Sequence, residues 1–214
     1  MSSRARPGAA ICGVRMNEKR TQAERREATR TALVAAGREL FATRGYEAVG
    51  TEEIVGEAGV TRGALYHHFD GKRGLFKAVF EAVEQELVAN FPVEKLVGTD
   101  PFGALQTGVA EFLEISLDHE LQQITVLDAP AVLGWEEWHE IQIRYGLGLI
   151  RAGVGAAIDA GQIRELPADE LANALLGALV EAALYVSRSE DQAAATERMR
   201  LVLEAMLEGL RVAG

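Results

Sequence analysis

Read for period, the chain is a succession of apolar stripes spaced three and four residues apart, the spacing of one face of a helix. The first stripe is Leu33, Ala36, Gly37, Leu40, Phe41 and Arg44. It predicts a helix from Thr21 to Arg44 whose first half, QAERREATR, is polar all round. Gly45 stops that helix. A short apolar set, Ile54, Val55 and Ala58, predicts a second one opened by Thr51. Ala58-Gly59-Val60 breaks the pattern, and Gly59 lacks the Cβ that would clash in a left-handed turn. Thr61 is placed to cap a third helix, Arg62 to His68, with Ala64, Leu65 and Phe69 turned inward. A fourth starts at Asp70-Gly71-Lys72-Arg73 and runs to about Asn90 on the stripe Leu75, Phe76, Val79, Phe80 and Val83.

Phe91-Pro92 interrupts this order. Residues 91–100 read as a linker ending in Asp100-Pro101, a helix cap followed by Pro at the first helical position. Leu105, Gly108, Val109, Phe112, Ile115 and Ser116 predict a helix to about Asp118. A shorter helix spans Leu121 to Asp128, closed by Ala129-Pro130. Gly134 to Ala160 follows as a long helix with Trp135, Trp138, His139 and Tyr145, then Gly146, Gly148, Gly153 and Gly155. Each mid-helix glycine costs up to about 1 kcal/mol relative to Ala. Four of them predict a bend or a close approach. Ala168 to Arg188 is apolar almost all round, and Asp191 to Val212 repeats Met199, Val202, Leu203, Met206, Leu207 and Leu210. A helix apolar on every side must be covered on every side. The last two helices are therefore expected to pair with their copies in a second chain through Leu175, Leu179, Ala183, Val202, Met206 and Leu210. A monomeric bundle burying them internally is the plainer alternative. The fold class is all-α, with 1–20 a disordered extension, 21–90 a head and 91–214 a second helical domain.

Helix, tight turn with Gly, helix is the spacing of a helix-turn-helix reader of DNA. Arg62 can present a bidentate fork to guanine, and Thr61 and Tyr66 can donate hydroxyls to phosphate. Gly63 keeps the surface low, and Lys72 lies near a helix N-terminus where phosphate is favoured. The flanks carry more. Phe41-x-x-x-Gly45-Tyr46, Ile54, Ala58-Gly59-Val60-Thr61, Gly63-x-Leu65-Tyr66-x-His68-Phe69 and Lys72 followed by Leu75 resemble, in that order, the N-terminal domain of the TetR family of transcriptional regulators. The resemblance covers about Thr21 to Glu86, and beyond about residue 90 it is one of architecture. Gly50, Gly71 and Gly74 depart from it, which bears on local capping. It implies DNA contacts at Thr51, Thr61, Arg62, Gly63, Tyr66, His67 and Lys72. It also implies a homodimer on a palindromic operator in double-stranded DNA, and a small-molecule effector bound among the C-terminal helices. Phe112, Ser116, Trp135, Trp138, His139, Gln142 and Tyr145 are the pocket candidates. Repressor is the default over activator, since no residue decides it.

Charge agrees with a one-ended DNA binder. The net charge is −10, yet residues 1–90 carry 14 Lys/Arg against 12 Asp/Glu while 91–214 carry 8 against 20. The single cysteine, Cys12, excludes an intramolecular disulfide framework and a Cys-based zinc site. A reduced, cytoplasmic setting fits. The longest nearly apolar run, Ala174 to Val180, is too short to span a bilayer, and the start lacks the apolar stretch of a signal peptide. Met16-Asn17-Glu18-Lys19-Arg20 reads as a fresh start, which makes Met16 the expected biological start and residues 1–15 a mis-called extension; a basic arm along DNA (Arg4, Arg6, Arg15, Lys19, Arg20) is the rival reading. A helical enzyme or metal carrier is the alternative from another class. Glu136-x-x-His139 has the spacing of half a di-iron site. Glu111, Glu114 and Glu120 lack the His that would complete a second half. No cofactor motif, phosphate loop or nucleophile elbow is visible, and a DNA binder without effector is the third reading.

Overall fold

The computed structural model describes residues 21–93 and 100–212. The readings of residues 1–20 as an extension, with Met16 as a start or a basic arm, and of 94–99 as linker lie outside these residues. The head is α1 (Gln22–Arg44), α2 (Thr51–Glu57), α3 (Arg62–His68) and α4 (Gly71–Ala89). Thr21 opens α1 reciprocally. Its hydroxyl accepts the Glu24 N–H (3.2 Å), and the Glu24 carboxylate accepts the Thr21 N–H (2.6 Å). The cap of α2 is one residue earlier than expected: Gly50, not Thr51, is the capping residue. Gly50 has no side chain to cap with, so Glu53 compensates by accepting the Gly50 N–H at 2.9 Å. Thr61 caps α3 as its sequence position implies, accepting the Ala64 N–H at 3.3 Å. Gly59 has φ +64, the left-handed value the turn requires.

The second half is α5 (Pro101–Ile115), α6 (His119–Leu121), a π-helical stretch (Gln122–Asp128), α7 (Ala129–Leu133), α8 (Trp135–Asp159), α9 (Ala168–Ser187) and α10 (Gln192–Glu208). Two sequence expectations fail here. Ala129-Pro130 does not close a helix. The Ala129 N–H reaches back five residues to the Ile124 carbonyl, and Pro130 falls in the first turn of α7, where its missing N–H costs nothing. Gly134, at φ +79, is the stop. The last helix ends at Glu208 rather than Val212, because its tail doubles back along the α8–α9 loop. Arg164 N–H donates to the Leu210 carbonyl (2.9 Å) and Val212 N–H to the Gln162 carbonyl (3.2 Å).

Two apolar cores result. The first joins Leu33, Phe41, Ile54, Leu65, Phe76 and Phe80 of the head to Ile124, Ala129, Leu133, Trp138 and Ile141 of the second half. The second gathers Phe102, Leu113, Val154, Ile163, Leu179, Leu203 and Leu207. Of the four glycines in α8, Gly153 marks a close approach: a Cβ there would lie 2.8 Å from the tip of Leu105 on α5. Gly148 and Gly155 face open space.

Candidate functional site

Burial sorts α3 into two faces. Leu65 is fully buried and Ala64 partly so, while Thr61, Arg62, Gly63, Tyr66 and His67 are exposed. The outward set forms one continuous polar face. Arg62 lies over the Tyr66 ring (5.6 Å to the centroid) and pairs with Glu52 of α2 at 3.1 Å. Both partners of that pair are more than half exposed, so it is weak and exchangeable for a stronger acceptor. His68 is half-buried against Phe69, and desolvation first, then the charges of His67, Arg26 and Arg30, hold it below the usual imidazole range. Thr51 is half-buried at the first position of α2. Lys72 differs from the expectation of a free cation. Its Nζ donates to the carbonyls of Tyr46 and Val49, both at 2.9 Å, and lies 3.9 Å from the Tyr46 ring centroid. Two of its three donors are thus spent tying the α1–α2 turn to α4, leaving one for a phosphate.

Head and body are clamped across α4. Arg73 donates to the Leu133 carbonyl (3.0 Å) and to Glu137 (2.6 Å), and Lys77 also reaches Glu137 (2.7 Å). Lys77 first, then Arg73, hold the Glu137 carboxyl below the usual range. Arg144 pairs with Glu81 (3.3 Å), and Arg38 bridges Glu86 and Glu120. Tyr46 N–H donates to Asp128 at 2.7 Å.

A cavity of about 570 Å³ opens between α4, α5, α8 and α9. Of the pocket candidates, Phe112, Ser116, Trp135, Trp138 and Gln142 line it, and two do not. The His139 ring stacks on Trp135 (5.3 Å, 16° between planes), and Tyr145 packs against the core shared with the head. The polar groups of the wall are mostly spent. Ser116 donates to the Phe112 carbonyl, Thr125 to that of Leu121, and the Trp138 indole to that of Thr125. Gln122 donates to the Ser116 carbonyl and exchanges hydrogen bonds with Gln192. Sequence reasoning missed two charged wall residues, Glu84 and Arg188. Glu84 is 5 % exposed, and burial pushes its carboxyl up to about 7. Its signal was present: it stands four residues after Phe80 and three before Leu87, on the apolar side of α4.

Comparison with known proteins decides the family. Residues 33–79 match the model for bacterial regulatory proteins of the tetR family, and residues 102–210 match a tetracyclin repressor-like C-terminal domain. The transposon Tn10 TetC protein of Escherichia coli is 30% identical over 178 residues, covering 83% of this chain and 90% of that protein. The chain belongs to the TetR family. It is a DNA-binding transcriptional regulator, and its all-α fold is shared with solved members. A TetR-family transcriptional regulator from Pectobacterium atrosepticum superposes with a TM-score of 0.79 at 32% identity, over 91% of this chain and 99% of that one. RolR, solved in complex with resorcinol, shares the fold at a TM-score of 0.67 and 21% identity, over 88% of this chain and 95% of that one.

Within this TetR-family body, the residues expected at a dimer face divide. Leu179 and Ala183 are buried and, with Leu175, line the cavity; Leu210 is half-buried against the second core. An α9 apolar on every side left the sequence unable to say which side the cavity takes. Val202 (53 % exposed) and Met206 (51 %) do face outward, beside Leu201 on α10. On α9 the outward positions are Asp169, Glu170, Asn173, Ala174, Gly177, Glu181 and Tyr185. Among the described residues no three His, Cys, Asp or Glu side chains are grouped to hold a metal.

Proposed function

We propose that the protein is a homodimeric repressor. It holds a palindromic operator through the α3 helices of two copies and is released when a small molecule fills the cavity. The observation that carries this reading is that α4 adjoins the reader helix at one end and lines the cavity at the other. It starts three residues after α3 and contributes Glu84, Leu87 and Val88 to the cavity wall. A ligand that binds one position of α4 better than another shifts the population of head spacings, and operator affinity with it. Thr61, Arg62, Gly63, Tyr66 and His67 meet DNA, Arg62 reading a base and the hydroxyls positioning the helix on phosphate. Two copies associate through the outward faces of α9 and α10, where Leu201, Val202 and Met206 are exposed. By length and composition alone α9 could cross a bilayer, although the apolar run read from the sequence within it is too short, and a second copy is the cover this reading assigns to its free side. The protein works where its DNA is, in the cytoplasm.

Selection of genomic fragments by the purified protein, at fixed near-physiological salt, tests the reading. Recovery of a palindrome with two half-sites is expected. Recovery of only random fragments, from protein refolded free of ligand, would overturn it.

A further inference from the structure

Accepting the cavity as the effector site, we propose that its ligand is an apolar organic cation whose protonated nitrogen is held by the carboxylate of Glu84. Of the wall's polar groups without a partner among the described residues, that carboxylate is the most deeply buried. It accepts no hydrogen bond from any described residue, although it is 5 % exposed and faces the cavity. A buried carboxyl without a partner is costly, and the molecule carries the cost as a raised pKa, about 7, whose cause is desolvation. An ammonium placed against it would recover that cost through a charge-assisted hydrogen bond in a dry site.

The remaining wall selects the same chemistry. Phe91, Phe112, Trp135 and Trp138 line the cavity, and aromatic faces attract cations. The buried donors an anionic ligand would require are already used: Ser116, Thr125, Gln122 and Trp138 all donate to protein carbonyls. Two polar wall residues besides Glu84 have no partner among the described residues. Gln142 is half-buried and can accept or donate. Arg188 is the only cation of the wall among the described residues, and it is exposed. An acid could therefore meet Arg188 only where water competes, whereas an amine would meet Glu84 at a mostly buried carboxylate. The volume, about 570 Å³, is in the range of pockets for drug-sized molecules.

Decylamine, decanol and decanoic acid share one tail and differ in head group, so they separate the possibilities. Their binding to the full-length chain is to be followed by tryptophan fluorescence, at about pH 8. The expected order is amine first, by at least tenfold over the alcohol, with the acid weakest. Glu84→Gln should bring the amine-to-alcohol ratio of affinities to about one, and Glu84→Asp, which keeps the charge, should retain most of it. A folded Glu84→Gln protein that still prefers the amine overturns the proposal. So does tighter binding of the acid, especially if Arg188→Gln abolishes it. Decanol binding without any amine preference sinks the amine assignment alone. Failure of all three to bind sinks it together with the reading of the cavity as a ligand site.

Discussion

Arg62 and Glu84 are both ionised or ionisable groups without a fixed strong partner, and their surroundings give them opposite fates. Arg62 is exposed, held only by the weak pair with Glu52 and its own helix neighbour Tyr66. Exchange of that pair for a guanine edge costs little, so Arg62→Ala should lose about 1–3 kcal/mol of base discrimination while leaving binding to random DNA nearly intact. Competition binding on operator and shuffled DNA reads the difference directly. Glu84 is buried, and its pKa rises from the ordinary 4.5 to about 7. The folded state therefore keeps a proton that the unfolded chain gives up, and stability falls as pH rises from the first value to the second. Glu84→Gln removes that loss. The variant should be more stable than the parent at about pH 8, by on the order of 3 kcal/mol at most, and no more stable near pH 4.5. Urea unfolding at the two pH values checks the sign. The polar reader face was legible because a seven-residue helix with Leu65 inside leaves little choice for the rest. Glu84 carried only its place on the apolar side of α4, and a Glu inside an apolar stripe reads as an exposed edge until the neighbouring helices are in place.

Lys72 moves from a surface role to an element-joining one. Its ammonium bonds two carbonyls at the α1–α2 turn from the first turn of α4, which sets where α2 and α3 sit relative to α4. Lys72→Ala leaves both carbonyls without that donor. We expect a loss of about 2 kcal/mol in stability. The slope of log affinity against log salt should change by less than the ~0.9 that one lost phosphate contact gives. Thermal unfolding and a salt titration together distinguish the two roles. Helices with a strong stripe and a cap, such as α1 and α3, were readable to within a residue, because cap chemistry is local, whereas α5 was capped as expected at Asp100 but ends at Ile115, three residues before the expected Asp118. The π-helical stretch was not, because the sequence there offers only Pro130, and a proline reads as a stop when the widened turn before it is unseen. The end of α10 was missed for a related reason: Leu210 to Val212 keep the helical period but find a better partner in the Gln162–Arg164 segment.

At the scale of the molecule, the outward face of α10 and the inward face of α9 make different predictions from similar residues. Met206→Glu puts a charge on an exposed apolar patch and should convert the proposed dimer to a folded monomer, seen by sedimentation, with operator binding lost alongside. Leu179→Glu puts the charge into the cavity wall, and should instead lower thermal stability, since Leu179 is 7 % exposed within the second core. The ion pairs across α4 are all partly exposed, and each contributes on the order of 1 kcal/mol or less. Apolar contact is what joins head to body, and the sequence division at residue 90 conceals it.

The first core runs through that division, with Ile124, Ala129, Leu133, Trp138 and Ile141 closing the underside of the head. Anyone building a biosensor by grafting this reader onto a foreign sensing module therefore transfers an incomplete object. The graft will function only if the recipient offers apolar side chains at those five places, so module exchange among such regulators is limited by fit at the joint more than by linker length.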